Sequence, residues 1–110
     1  VGSPVTYVLE ESPEHRIYIY QHSDGYLAEE RLRSAISYSR SQWRDPSYMN
    51  RMLLDHIIQS HDGKTGYGIS CEFQDSMYPV LVVDHQRKGV YIEGKPEHCV
   101  PFDDYVSYGR

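Results

Sequence analysis

The stretch IYIYQHSDGYLAEERL, residues 17–32, changes its hydrophobic period half-way along. Ile17 and Ile19 alternate with Tyr18 and Tyr20, the period of two of a half-buried strand. From about Leu27 the apolar and small positions Ala28, Leu32, Ala35, Ile36, Ser39 and Trp43 follow the spacing of one helix face. Between the two lies His22-Ser23-Asp24-Gly25-Tyr26, a turn-forming link in which Ser23 or Asp24 is placed to cap the helix. The switch makes this a strand-to-helix junction and sets the chain on an α+β course.

Upstream, PVTYVLE alternates Val5, Tyr7 and Leu9 with Thr6 and Val8, and Pro13 stops the run, so the first two strands read as a hairpin. Glu29 and Glu30 near the helix start and Arg40 near its end suit the helix dipole. A second helix follows, with Asp45 as N-cap and Pro46 as first helical residue. Met49, Met52, Leu53, His56 and Ile57 form its stripe, Leu54 and Ile58 widen it, and Asp62-Gly63 ends it; it is expected to be the more buried helix. TGYGISCEF puts Tyr67, Ile69, Cys71 and Phe73 on one strand face, with Cys71 inward, and Gly66, Gly68, Ser70 and Glu72 on the other. The paired glycines there suggest close approach by a backbone, a ligand or a bulge. PVLVVDH is a continuous apolar run, expected at the sheet centre, and VYIEG is the last strand.

The expected fold is therefore an antiparallel sheet in ββααβββ order, with two consecutive helices packed on one face. Residues 1–94 form the single domain. Residues 95–110 read as an irregular tail whose Val100, Phe102, Tyr105 and Val106 dock on it.

The 110 residues carry a net charge of −5, which argues against nonspecific nucleic-acid binding. The charge is uneven. Between Ala28 and Arg51, Arg31, Arg33, Arg40, Arg44 and Arg51 face three acids, so that segment is +2 and the remainder −7. No run approaches the roughly 18 apolar residues of a membrane helix, and no secretory signal opens the chain. Two cysteines make no disulfide framework, so a soluble, cytoplasmic protein is expected. Eleven tyrosines against two phenylalanines and one tryptophan suit strands and binding surfaces alike.

Two sets of residues are candidate ligand contacts. Tyr20, His22, Asp24 and Tyr26 would form a polar, aromatic rim at the junction, where a His-Asp pair could also orient an imidazole for acid-base chemistry. Arg33, Arg40 and Arg44 lie on one helical stripe beside Trp43, the chemistry that forks phosphate and stacks on bases. Each set also has a plain reading, as a turn and as a solvated helix face paired with Glu30 or Asp55. The spacing of His56, His61, Asp62, His98 and Cys99 suits no zinc site, so no metal is expected. No Gly-x-Ser-x-Gly elbow or phosphate loop occurs, DGKTG at residues 62–66 included, and no catalytic residue or cofactor is assigned.

Tyr20-Gln21-His22-Ser23-Asp24-Gly25-Tyr26 resembles a Tyr-x-His-x-Asp-Gly-Tyr motif of small phage and prophage proteins, in which proline usually follows and Leu27 stands here. Trp43-Arg44-Asp45 with Tyr48, and Thr65-Gly66-Tyr67-Gly68-Ile69, extend the likeness. The resemblance implies a context of bacterial immune evasion. One expectation is a non-enzymatic, homo-oligomeric protein that sequesters a small nucleotide-derived signal in the manner of a sponge. Others are an anti-CRISPR-like inhibitor that binds a host defence protein directly, or a small enzyme that acts on a defence signal through His22 and Asp24.

Overall fold

The computed structural model describes residues 2–58 and 65–107. It is an α+β sandwich. Strands β1 (Val5–Ser12) and β2 (His15–Gln21) precede helices α1 (Ala28–Tyr38) and α2 (Pro46–Ile58). Then come β3 (Tyr67–Ser70), β4 (Leu81–Asp84), β5 (Gly89–Ile92), β6 (Val100–Pro101) and a third helix, α3 (Phe102–Ser107). The sheet order is β3-β2-β1-β4-β5-β6.

The expected all-antiparallel sheet is corrected to a mixed one. β1 pairs with β2 antiparallel but with β4 parallel, Val8 opposite Val82. The reason is the connection after β3. β3 and β4 run in the same direction, so the chain returns along the sheet before entering β4, and places it on the far side of β1. Alternation within a strand records which side chains are buried, but not which neighbour the strand takes.

One face of the sheet packs on the helices. Val5, Tyr7, Leu9, Ile19, Leu81, Val83 and Val90 meet Leu32, Ile36, Met49, Leu53 and Ile57 in a single core, and burial of such side chains contributes roughly 25 cal/mol per Å². On the opposite face Val8, Val82 and Tyr91 form a smaller cluster edged by Tyr18, Val80 and Cys99. The expected ranking of the helices is reversed. α1 buries Ala28, Leu32, Ala35 and Ile36 in 11 residues, whereas α2 buries Met49, Leu53 and Ile57 in 13. The Asp45 cap forms as read: its Oδ1 accepts from Tyr48 N at 3.2 Å and its carbonyl from Met49 N at 2.8 Å. The end of this helix at Asp62-Gly63, and His61 beside it, lie outside the described residues.

The tail is not irregular. Pro96–His98 forms a 3-10 turn, β6 pairs Val100 with Val90, and α3 buries Phe102, Tyr105 and Val106 in the main core. Of the four residues expected to dock, Val100 alone stays largely exposed.

His85, directly after β4, ties the sheet to α2. It is 3 % exposed, and its Nε2–H donates to Asn50 Oδ1 at 2.6 Å. Burial, with Lys88 nearby adding to it and Asp84 opposing, pushes its pKa from 6.5 down to about 4. The unfolded chain therefore takes up this proton first as the pH falls. The stability is present above pH 6.5 and is lost between there and about pH 4. The loss amounts to about 3 kcal/mol at most, because each tenfold difference in proton affinity between the folded and unfolded chain is worth roughly 1.4 kcal/mol. Urea unfolding at pH 7, 5 and 4 is expected to show this slope, and His85→Gln to flatten it; an unchanged slope in the variant would remove the assignment.

Candidate functional site

The sheet face away from the helices carries the densest charge chemistry in the fold. The β1–β2 register sets Glu10 opposite Arg16. Arg16 Nε lies 2.8 Å from Glu10 Oε2, while its two terminal nitrogens donate to the two oxygens of Glu93 at 2.7 and 2.9 Å. Such a fork is a charge-assisted, bidentate contact. The other Glu10 oxygen accepts from Tyr91 Oη at 2.9 Å. Burial, and then this hydrogen bond, push the Tyr91 hydroxyl up to about 12.

A second pair lies alongside. Burial by itself would raise the Asp84 pKa. Hydrogen bonds from Arg87 Nε at 2.8 Å and from the main-chain N–H groups of Gln86 and Arg87 outweigh it and hold the carboxyl below its usual value. Arg87 also donates to Pro96 O at 2.7 Å and sits 5.3 Å from the centre of the Tyr91 ring.

Two clefts flank the β1–β2 turn at Pro13. One, of about 420 Å³, is lined by Glu10, Arg16, Asp84, Arg87 and Glu93 among others. The other, of about 560 Å³, is lined by Glu11, Glu14, His15, Arg16, Ile17 and Cys71 among others. Five carboxylates thus surround two guanidiniums, each already engaged by a carboxylate. The surplus is negative, and low-dielectric cleft walls focus such a field.

The two sequence-predicted sets are not brought together. At the junction, Tyr20 Oη and His22 Nδ1 are 3.0 Å apart, and Asp24 instead faces Arg31 at 3.8 Å. Asp24 adopts a left-handed backbone (φ 62°) and makes no side-chain cap, so the expected capping by Ser23 or Asp24 is corrected: Leu27 N donates to the Asp24 carbonyl. Gly25 is needed for space. Its N–H bonds Ser3 O at 2.8 Å, and a Cβ there would lie 2.4 Å from that oxygen. Tyr26 projects, 66 % exposed.

The arginine-aromatic set does not share the one helical stripe expected of it: Arg33 lies mid-way along α1, whereas α1 ends at Tyr38, Arg40 opens a 3-10 turn (Arg40–Gln42) and Trp43 follows it. The set clasps α3. Arg33 Nε donates to Tyr105 O at 3.0 Å, Arg40 pairs with Asp103 at 3.0 Å and stacks 4.5 Å over Trp43, and Trp43 packs on Phe102. Trp43 Nε1 donates to Ile36 O at 2.9 Å. Arg44 is exposed.

Cys71 lies beyond the end of β3 and is exposed, correcting its inward placement. Gly66 has a left-handed φ of 105°, while a Cβ on Gly68 would meet nothing nearer than Tyr20 Cβ at 3.9 Å. Sequence reasoning missed the Ser34–His56 contact, 2.8 Å between Oγ and Nε2 under a stacked Tyr38 ring. It also missed the Glu10–Arg16–Glu93 cluster, whose one sequence signal was Glu10 and Arg16 flanking a predicted hairpin turn. Among the described residues, no group of three His, Cys, Asp or Glu side chains is placed to hold a metal, and no helix is long and apolar enough to cross a membrane. No protein-family model, curated protein or solved structure matches this chain.

Proposed function

We propose that this chain acts by occupancy, docking its acidic β1–β2 end on a basic, nucleic-acid-binding surface of another protein. One observation carries the reading: Glu10, Glu11, Glu14, Asp84 and Glu93 converge on two adjoining clefts whose two arginines are already neutralised. Carboxylates held this way repel phosphate and attract guanidinium and ammonium groups, so electrostatic complementarity selects a basic partner. The phage-type motif supports a bacterial defence protein as the partner class. The expected result is binding to a nuclease-type defence effector that weakens steeply with salt, is competed by nucleic acid, and is lost in Glu11→Lys/Glu14→Lys.

A nucleotide-derived signal is the second reading. It is favoured by the exposed Tyr26 ring and the Tyr20–His22 pair, which leave flat surfaces for base stacking. It loses support from Arg33 on α1 and from Arg40 and Trp43 just beyond it, because α3 engages all three. A panel of cyclic nucleotides raising the melting temperature, with the rise abolished by Tyr26→Ala, would favour it over docking.

A further inference from the structure

A third cavity, of about 140 Å³, lies on the helix side of the sheet and shares no carboxylate with the two acidic clefts. Its floor is aliphatic. The β4–β5 register sets Leu81 beside Ile92, the β5–β6 register sets Val90 beside Val100, and all four line it. A cavity of about 150 Å³ walled by such side chains stays dry and takes a benzene-sized guest. Leu81 and Val90 are buried, whereas Ile92 and Val100 are 37 % and 39 % exposed, which leaves the floor open to entry.

The rest of the lining is polar and carries both signs of charge. Lys95, just before the Pro96–His98 turn, is exposed and pairs with no carboxylate among the described residues. His98 beside it turns to Glu97 at 3.9 Å. Glu29, in the first turn of α1, keeps its side chain 55 % exposed and meets Arg33 at 3.4 Å through Oε1. A carboxylate has about four acceptor sites, so Glu29 can take a further donor. Tyr105 is 6 % exposed, yet its hydroxyl makes one long hydrogen bond, 3.4 Å to Glu29 O. We infer that this cavity binds a free α-amino acid with an aliphatic side chain of about leucine size. The side chain enters the aliphatic floor, the α-carboxylate goes to Lys95, and the α-ammonium goes to Glu29. Glu29 disfavours a simple aliphatic carboxylic acid and Lys95 disfavours a simple amine, so the two charges together select the zwitterion.

Isothermal titration of the intact chain with L-leucine should show dissociation at roughly 0.1–1 mM, in the range open to so small a ligand. Glycine offers the same charges without the apolar side chain and should bind at least about thirtyfold more weakly. Leucinamide lacks the carboxylate and N-acetyl-leucine lacks the ammonium, and each should lose about tenfold or more. Lys95→Ala should weaken leucine by a similar factor. Lys95 is exposed and unpaired, so this variant keeps its fold, which its circular dichroism and melting temperature check. Absence of leucine binding at about 10 mM, or unchanged affinity in Lys95→Ala, would overturn the proposal. So would N-acetyl-leucine matching leucine, which would assign the cavity to the carboxyl end of a peptide instead.

Discussion

Phe102→Ala is expected to cost about 3–5 kcal/mol of stability, a third or more of what a domain of this size has. Phe102 is 2 % exposed and opens α3 inside the main core, with its ring centre 5.2 Å from that of Trp43. Its main-chain N–H is held by Lys88 O at 2.9 Å, so the site has little freedom to collapse around a smaller side chain. The same residue anchors the clasp in which Arg33 grips Tyr105 O and Arg40 grips Asp103. The exposed Arg40–Asp103 pair adds little by itself. Urea denaturation reads the effect directly. A loss below about 1 kcal/mol would mean that the C-terminal helix is an appendage and not part of the core.

Arg16→Met is expected to cost about 2–4 kcal/mol, because it leaves the nearly buried Glu10 carboxylate without its cation, supported by the Tyr91 hydroxyl, and strands Glu93. The penalty belongs to the uncompensated charge more than to the lost attraction. Glu10→Gln in the same chain should therefore restore most of it, giving a coupling of about 1 kcal/mol or more in a double-mutant cycle. Additive losses would show that Glu10 and Arg16 do not act as a pair.

The local rules are readable in the chain. The period switch at residues 17–32 locates β2 and α1, and Asp45-Pro46 locates the start of α2. The apolar run at residues 79–85 contains β4, buried along its whole length. What stays hidden is long-range. The parallel β1–β4 pair depends on where the chain crosses after β3, and nothing in either strand's alternation encodes it. The two prolines of the tail suggest irregular structure, yet Pro96 opens a 3-10 turn and Pro101 ends an edge strand, positions that need no N–H from it. Arg33 and Arg40 look like ligand contacts in sequence because their partners, Tyr105 and Asp103, lie more than 60 residues away. Glu93 is farther still from Arg16, 77 residues, so the acidic end emerges only when the sheet brings β1, β2 and β5 together.

The most direct test is equilibrium binding of the intact chain to a purified nucleic-acid-binding defence effector, repeated across a salt series and with Glu11→Lys/Glu14→Lys. The proposed docking requires affinity that falls steeply as salt rises, competition by nucleic acid, and loss in the charge-reversed chain with its fold intact. Affinity that ignores salt and survives both reversals would contradict it.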